Sequence, residues 1–375
     1  MADVVCAHSG KEDTAAALAE LAPNLAIKDA VAVFFFCSSN HDGSAINAKL
    51  AELAPGAQIL GATTAGEFTH EAYSQGGVSV MALGKSKVKR CKAALAQHGQ
   101  GATVEEAVHT ACGDIGKALS VDLRELDPVN WVGVILNGGL FTMHEEEVSE
   151  VLGHIAPFLS FVGGSAGDNL KVVETRIWCN GVESNNGTAL LLMEVAVPYH
   201  ILKTCSFEAT DKKLLFNKVE GRFVHEIDGK PAAQGYAEAV GVPVEQLGHP
   251  VFMANPVGVM IDGEPWVRSP AEVLPNGSMR FGAKILPGTS LNLLKATDLV
   301  GDTNAALAAG AKALGKTPSA GLVFNCAHRC IEIQIKQLEG PFRASIASFP
   351  CAGFHSYGES WLAYVNQSLI AILFG

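Results

Sequence analysis

The chain has 375 residues, 48% hydrophobic and 17% charged, a composition that excludes a disordered protein and describes a well-buried globular one. That length is long for one compact core and predicts two packed domains. The formal net charge of -11, with no basic run to offset it, argues against nucleic acid as a partner.

The opening residues, MADVVCAHSGKEDTAAALAE, carry acids early and lack the basic-then-apolar layout of a secretory leader. A helix fits Lys11–Leu21, followed by a strand at Ala30–Cys37, a helix at Ser44–Leu53 and strands at Gln58–Thr63, Gly77–Leu83 and Lys87–Leu95. Helix Val104–Leu119, strand Trp131–Leu136 and helix Glu145–Ile155 come next, the last with acids in its first turn that suit the helix dipole. Strands fit Ser160–Gly163, Thr175–Cys179 and Thr188–Val195, with VESNNG as a turn. The longest apolar runs, such as AVAVFFFC, are too short to span a bilayer, so no membrane insertion is expected. Nine scattered cysteines without framework spacing read as the reduced thiols of a cytoplasmic protein.

Near Val197–Tyr199 the texture changes. HILKTCSFEAT and KLLFNKVEGRFVHEIDGKPA read as strands with Asp228-Gly229 as a tight turn. Further strands fit Val251–Ala254, Val257–Ile261, Met279–Ile285 and Ser290–Lys295. A helix at Asn304–Leu314, a buried strand at Gly321–Asn325, a helix from Ala327 to about Leu338, and strands at Ala344–Phe349 and Ser368–Phe374 complete the chain. No short internal repeat and no low-complexity segment is seen. The fold class is α/β to α+β, two halves meeting near residue 200, with mixed β-sheets and outer helices. One arrangement of these is a layered αββα sandwich of two facing sheets.

Five stretches concentrate polar chemistry, four of them around glycines. FVGGSAGDN (Phe161 to Asn169) ends a strand without the spacing of a phosphate loop; a braced turn and a ligand-contacting loop both fit it. GATTAGEFTHE (Gly61 to Glu71) is a second such corner. NGGLFTMHEEE (Asn137 to Glu147) contains His144-Glu145, but Val148 breaks the zinc-protease pattern. FNCAHRCIE (Phe324 to Glu332) and CAGFHSYGES (Cys351 to Ser360) offer thiols and imidazoles. Cys326, Cys330, Cys351 and His355 allow a zinc site to be drawn, without paired-knuckle spacing. Cys351 with His355 or His328 would make a nucleophilic pair, with no nucleophile motif around it. Arg329 and Glu359 stand in apolar surroundings, where mutual pairing and ligand binding by Arg329 are the two alternatives.

Taken in order, ILGATTAGE, GGVSVMALG, FVGGSAGDN, DGKPA, FNCAHR, GFHSYGE and NQSL resemble the FIST family across almost the whole chain. The resemblance implies a FIST N-like domain over 1–197 and a FIST C-like domain over 198–375. It also implies a stand-alone intracellular sensory protein, not an enzyme, that binds a small ligand and signals to a separate partner such as a histidine kinase or cyclic-di-GMP enzyme. The expected ligand-binding residues are Gly163, Gly164, Ser165, Asp168, Asn169, Asn325, Arg329, Tyr357 and Glu359, with Tyr357 and Glu359 facing Arg329 across a pocket. One branch of the family binds haem and senses nitric oxide. On that alternative, haem b would take His328 or His355 as axial ligand, and the absence of C-x-x-C-H argues against covalent attachment. A third alternative is a thiol-dependent enzyme using Cys351 or Cys326.

Overall fold

A computed structural model describes residues 3–99, 101–140 and 142–375; Phe141 of the NGGLFTMHEEE stretch lies outside the described residues. Three stretches of the chain follow one plan. In the first, β1 (Val4–Ser9) leads through α1 (Thr14–Leu21) to β2 (Ala32–Ser38), and α2 (Gly43–Leu53) crosses to β3 (Gln58–Thr64), parallel to β2. A corner then gives a short hairpin, β4 (Glu67–Thr69) and β5 (Tyr73–Ser74), before β6 (Val78–Leu83) returns antiparallel between β1 and β2.

The second unit repeats this plan with β7 (Val88–Gln97), α3 (Val104–Leu119), β8 (Trp131–Asn137), α4 (Glu145–Ile155) and β9 (Phe161–Ser165). Its hairpin is β10 (Ile177–Cys179) and β11 (Val182–Ser184), and its return strand is β12 (Gly187–Val195). The third unit opens with β13 (Tyr199–Cys205) and is then interrupted. The insertion is an eight-stranded antiparallel sheet of β14 (Phe207–Glu220), β15 (Phe223–Ile227), β16 (Lys230–Pro231), β17 (Val257–Ile261), β18 (Glu264–Arg268), β19 (Pro270–Val273), β20 (Met279–Phe281) and β21 (Thr289–Ala296). Helices α5 (Ala232–Val240) and α6 (His249–Ala254) belong to it. The third unit resumes with α7 (Leu299–Leu314), β22 (Ala320–Cys326), α8 (Ala327–Ile335), α9 (Glu339–Ile346) and β23 (Cys351–Ser356). Hairpin β24 (Glu359–Trp361) and β25 (Ala363–Val365) follows, then β26 (Ser368–Phe374).

The strand orders β1-β6-β2-β3, β7-β12-β8-β9 and β13-β26-β22-β23 match position by position. None of the three hairpins stays with its own sheet. β10 pairs with β3, β24 with β9 and β4 with β23, which closes a ring of three exchanges. At the three corners stand Thr64-Ala65-Gly66-Glu67, Ser165-Ala166-Gly167-Asp168 and Ser356-Tyr357-Gly358-Glu359. The chain therefore contains a threefold internal repeat that the sequence reading misses. Its shared residues are few, and the insertion stretches the spacing in the third unit.

Residue pattern explains the layering. In β2, Phe34 and Phe36 enter one core while Val33, Phe35 and Cys37 enter another on the opposite face, the alternation of a strand covered on both sides. The inner faces of all three sheets share one core, with Phe36 and Met81 from the first, Val134 and Leu191 from the second, and Phe324, Phe354 and Ile372 from the third. Helices cover the outer faces. Mixed sheets with outer helices are thus as expected, but three sheets rather than two facing ones meet in the middle.

Three local expectations change. Val251–Ala254 is helix α6, because a short apolar run does not distinguish a strand from a buried helix turn, and Phe252 and Met253 are buried. Within the segment expected as strand Ala344–Phe349, residues up to Ile346 belong to α9, where Phe342 and Ile346 share its buried face at helical spacing. In VESNNG, Val182–Ser184 is a strand, and the hairpin turn is Asn180-Gly181. Asp228-Gly229, with φ of 51° and 72°, is the tight turn expected.

Phe36 joins two sheets, its ring 4.6 Å from that of Phe354 and 6.4 Å from that of Phe324. Phe36→Ala is expected to lower the unfolding free energy by about 3–5 kcal/mol. Urea denaturation measures this, and a loss below about 1 kcal/mol would show that the shared core is not a single cooperative unit.

Candidate functional site

The corners locate the site through the way they differ. Gly66 and Gly358 adopt φ of +144° and +155°, conformations that L side chains avoid, and so steer each hairpin out of its sheet. In the first corner, Glu67 accepts from Thr64 Oγ1 (2.8 Å), Ser74 Oγ (2.5 Å) and Gly77 N (2.6 Å). In the third, Glu359 accepts from Ser356 Oγ (2.7 Å), Ser368 Oγ (2.7 Å) and Ser368 N (3.1 Å). Gly77 and Ser368 stand where the return strands begin, so each carboxyl ties its corner to the strand that ends the unit.

The second corner departs from this pattern. Asp168, one methylene shorter, accepts instead from Val172 N (2.9 Å), Val173 N (2.6 Å), Glu174 N (3.0 Å) and the Tyr357 hydroxyl. These bonds hold a loop whose Asn169, Leu170 and Val172 adopt left-handed φ of 58°, 62° and 56°, strained for Leu and Val. Ser165 is left free of its own corner. Its Oγ lies within hydrogen-bond distance of Glu145 Oε1 (3.1 Å) and the Tyr364 hydroxyl (3.2 Å).

A cavity of about 720 Å³ opens at Ser165, between the carboxyl ends of the second and third strand pairs and the inserted sheet. Ligands of α/β sheets commonly sit at such strand ends. Asn137, Ser165 and Glu145 come from the second unit, Cys326, His328, Tyr357 and Tyr364 from the third, and Arg222, Ser269 and Arg280 from the insertion. Buried Arg222 donates to Glu145 Oε2 (2.7 Å) and Glu146 Oε2 (2.6 Å), its guanidinium 4.9 Å from the Tyr364 ring centre. Arg280 pairs with Glu272 (3.2 Å). His328 Nδ1 lies 3.2 Å from Ser269 Oγ; burial, then His249, push its pKa down to about 4, so its ring is neutral near pH 7. The wall therefore sets hydroxyls, amides, paired charges and a neutral imidazole among apolar side chains such as Leu170, Val172 and Ile331, a mixture suited to holding and orienting a small molecule with polar groups.

The residues singled out from sequence fall into three groups. Ser165, Tyr357 and His328 line the cavity, and Asp168 braces Tyr357 from behind. Gly163 and Gly164 are packing residues in β9, where an added Cβ would come within 1.7 Å of Ile135 O and 2.8 Å of Ser356 Cβ. Asn169 donates to Ser38 Oγ (2.7 Å). Asn325, Arg329 and Glu359 are absent from the cavity wall, so the expected pocket with Tyr357 and Glu359 facing Arg329 is not the one found. Arg329 donates to Asn325 Oδ1 (2.8 Å), Ser206 Oγ (2.7 Å) and Thr303 Oγ1 (2.7 Å), so neutral acceptors satisfy it and it forms no ion pair with Glu359. Sequence reasoning missed Glu145 as a site residue, together with Arg222, Ser269 and Tyr364. A comparison of the three corners is the signal that leads to Glu145, through the unclaimed Ser165.

The haem and thiol expectations meet physical obstacles. His355 is fully buried, its Nδ1 2.8 Å from Asn325 Nδ2 and its ring among Phe68, Tyr73 and Phe342. Even a Cβ on Gly66 would come within 2.9 Å of that ring, so there is no space for a porphyrin beside it. His328 lines the cavity, and its Nδ1 is engaged with Ser269 Oγ at 3.2 Å. The packed surroundings of His355 do not fit haem. Burial pushes the Cys326 and Cys351 thiols well up, so neither is poised as a thiolate. The four suggested zinc ligands do not converge: Cys330 Sγ meets the Tyr73 hydroxyl (3.3 Å) and Cys351 Sγ donates to Ile346 O (3.5 Å). Among the described residues no three His, Cys, Asp or Glu side chains gather in a way that suits a metal.

Burial raises the Glu359 carboxyl from the ordinary 4.5 to about 7, against the opposing pull of the Ser368 and Ser356 donors. A raised acid gives stability that is complete below its unfolded pKa and is lost as pH rises through the folded one. Relative to Glu359→Gln, the protein is expected to lose up to about 3 kcal/mol of unfolding free energy between pH 4.5 and 7. Urea melts of both proteins across that range measure the difference, and a pH-independent gap would contradict it.

Residues 31–230 match the FIST N domain and residues 232–361 the FIST C domain, the junction falling inside the inserted sheet. No curated protein matches the chain. The matched ranges include all three corners and nearly all of the cavity wall, and FIST domains are sensory domains that point to ligand sensing in signalling. The chain belongs to the FIST family.

Proposed function

We propose that the chain is a sensory protein that binds a small polar molecule, without turning it over, in the cavity at Ser165. The observation that carries this reading is the broken repeat. Where the first and third corners spend their hydroxyl on their own carboxylate, the second turns Ser165 toward a cavity and holds the adjoining loop in a strained form. Strain retained beside a cavity is a mark of function.

The ligand touches both sides of a joint. Ser165 and His328 belong to the repeated units, Arg222 and Arg280 to the inserted sheet. Occupancy therefore favours one seating of the insertion over another, and that difference is the signal. Two units precede residue 198 and the third follows with its insertion, so a ligand in the cavity joins residues from both sides of that point. A separate protein, a histidine kinase or cyclic-di-GMP enzyme, reads the change. Nine free cysteines suit a reducing cytoplasm, and among the described residues no helix is long and apolar enough to cross a membrane. Haem is not carried into this reading: His355 has no room for a porphyrin, and His328 Nδ1 is met by Ser269 Oγ.

A thermal-shift screen of small polar metabolites, followed by calorimetry, tests the proposal. A ligand is expected that binds the intact protein and loses at least ~10-fold affinity in Arg280→Ala and in His328→Ala. His109→Ala, on the exposed face of α3, should leave it unchanged. Ligands indifferent to both cavity substitutions, or none at all, would overturn the assignment.

A further inference from the structure

Away from the cavity wall, a buried imidazole has no hydrogen-bond partner on either nitrogen among the described residues. His98, which follows β7, is 2% exposed, and both Nδ1 and Nε2 are unpaired. The neighbouring Asn186, whose backbone O accepts from His98 N (3.1 Å), buries an unpaired Oδ1 as well. Buried polar atoms left unsatisfied are costly and call for an occupant.

The ring of His144 supplies the second half of a site. Its centre is 5.3 Å from that of His98, with the planes at 88°. An ion bound tetrahedrally about 2 Å from one nitrogen of each of two imidazoles sets their ring centres about 5 Å apart. One carboxylate stands beside the pair: His144 is the N-cap residue of α4 and Glu147 Oε2 lies 3.9 Å from its Nδ1, while Glu145 and Glu146 are taken up by Arg222.

We propose that His98 and His144 together bind a divalent transition ion of the zinc or nickel class, with water and Asn186 Oδ1 completing its shell. Two protein imidazoles make the site weaker than a four-ligand structural zinc and suited to reversible loading. Imidazole is a favoured ligand for these ions, and the buried ring of His98 has no other bond to give up. The site does not depend on a ligand in the cavity. It does adjoin it: His144 precedes Glu145, the carboxylate that meets Ser165 and Arg222. A bound ion would tie the end of β7 to the segment that positions that carboxylate.

The test uses the full chain after chelator treatment, titrated with Zn²⁺ by calorimetry and with Co²⁺ by visible absorption. One saturable site is expected, weakened at least ~10-fold in both His98→Asn and His144→Ala and unchanged in His154→Ala, an exposed imidazole on α4. His144 is a third exposed, so its replacement reports even where a change at His98 disturbs folding. No saturable binding, or binding equal in His144→Ala and the parent, would overturn the proposal.

Discussion

A carboxyl group buried at the end of a strand is the contact on which this architecture depends. Glu67 and Glu359 are both fully buried, and burial raises the pKa of each. Such a group persists only where its oxygens are satisfied, and the available donors are the corner hydroxyl and the first residue of the return strand. Satisfying the carboxyl therefore fixes the corner, and the corner sends the hairpin to the neighbouring sheet. Because each sheet receives a hairpin from another unit, no sheet is complete alone. The shared aromatic core is then a consequence of these exchanges as much as their cause.

The second unit shows what one methylene changes. Aspartate does not span the distance that glutamate spans in the other corners, so Asp168 turns to the backbone of its own loop and to Tyr357 of the third unit. The hydroxyl it leaves behind becomes part of a cavity wall. Positions opposite the corner hydroxyls follow the same division: Ser38 in the first unit is engaged by Asn169, while Asn137 and Cys326 face the cavity. Repetition thus marks the structural roles, and departure from it marks the site.

Much of the secondary structure was legible because its determinants are local. Helix Val104–Leu119 has a complete capping box of Thr103 and Glu106, and Glu145–Ile155 opens on three acids. The Asp228-Gly229 turn follows from backbone preference alone. The site was only partly legible, since its meaning depends on distant partners. Arg329 looked like a ligand anchor among apolar neighbours, but Ser206 and Thr303, remote in sequence, absorb its donors. Arg222 lies in the turn between β14 and β15 and Ser269 between β18 and β19, with no local pattern to distinguish them from ordinary exposed polar residues. Glu359 reads as a functional acid for the same reason that it is structural: a buried carboxylate needs several specific partners in either role.

The ring of exchanges also explains why the open space lies where it does. Three strand pairs present three sets of carboxyl ends, each a natural crevice. The first is plugged by the second unit's own loop, where Asn169 reaches Ser38 and Lys171 reaches Asn40 Oδ1 (2.7 Å). Asp168 can hold that loop in its left-handed form because it has given up Ser165. The same substitution that frees a hydroxyl in one crevice thereby fills another. What remains open is the space between the second and third units, roofed by a sheet that neither of the first two units possesses. A ligand entering there meets the point where the repeat is broken and the insertion begins, which are the two features by which the third unit and its neighbour differ from the first.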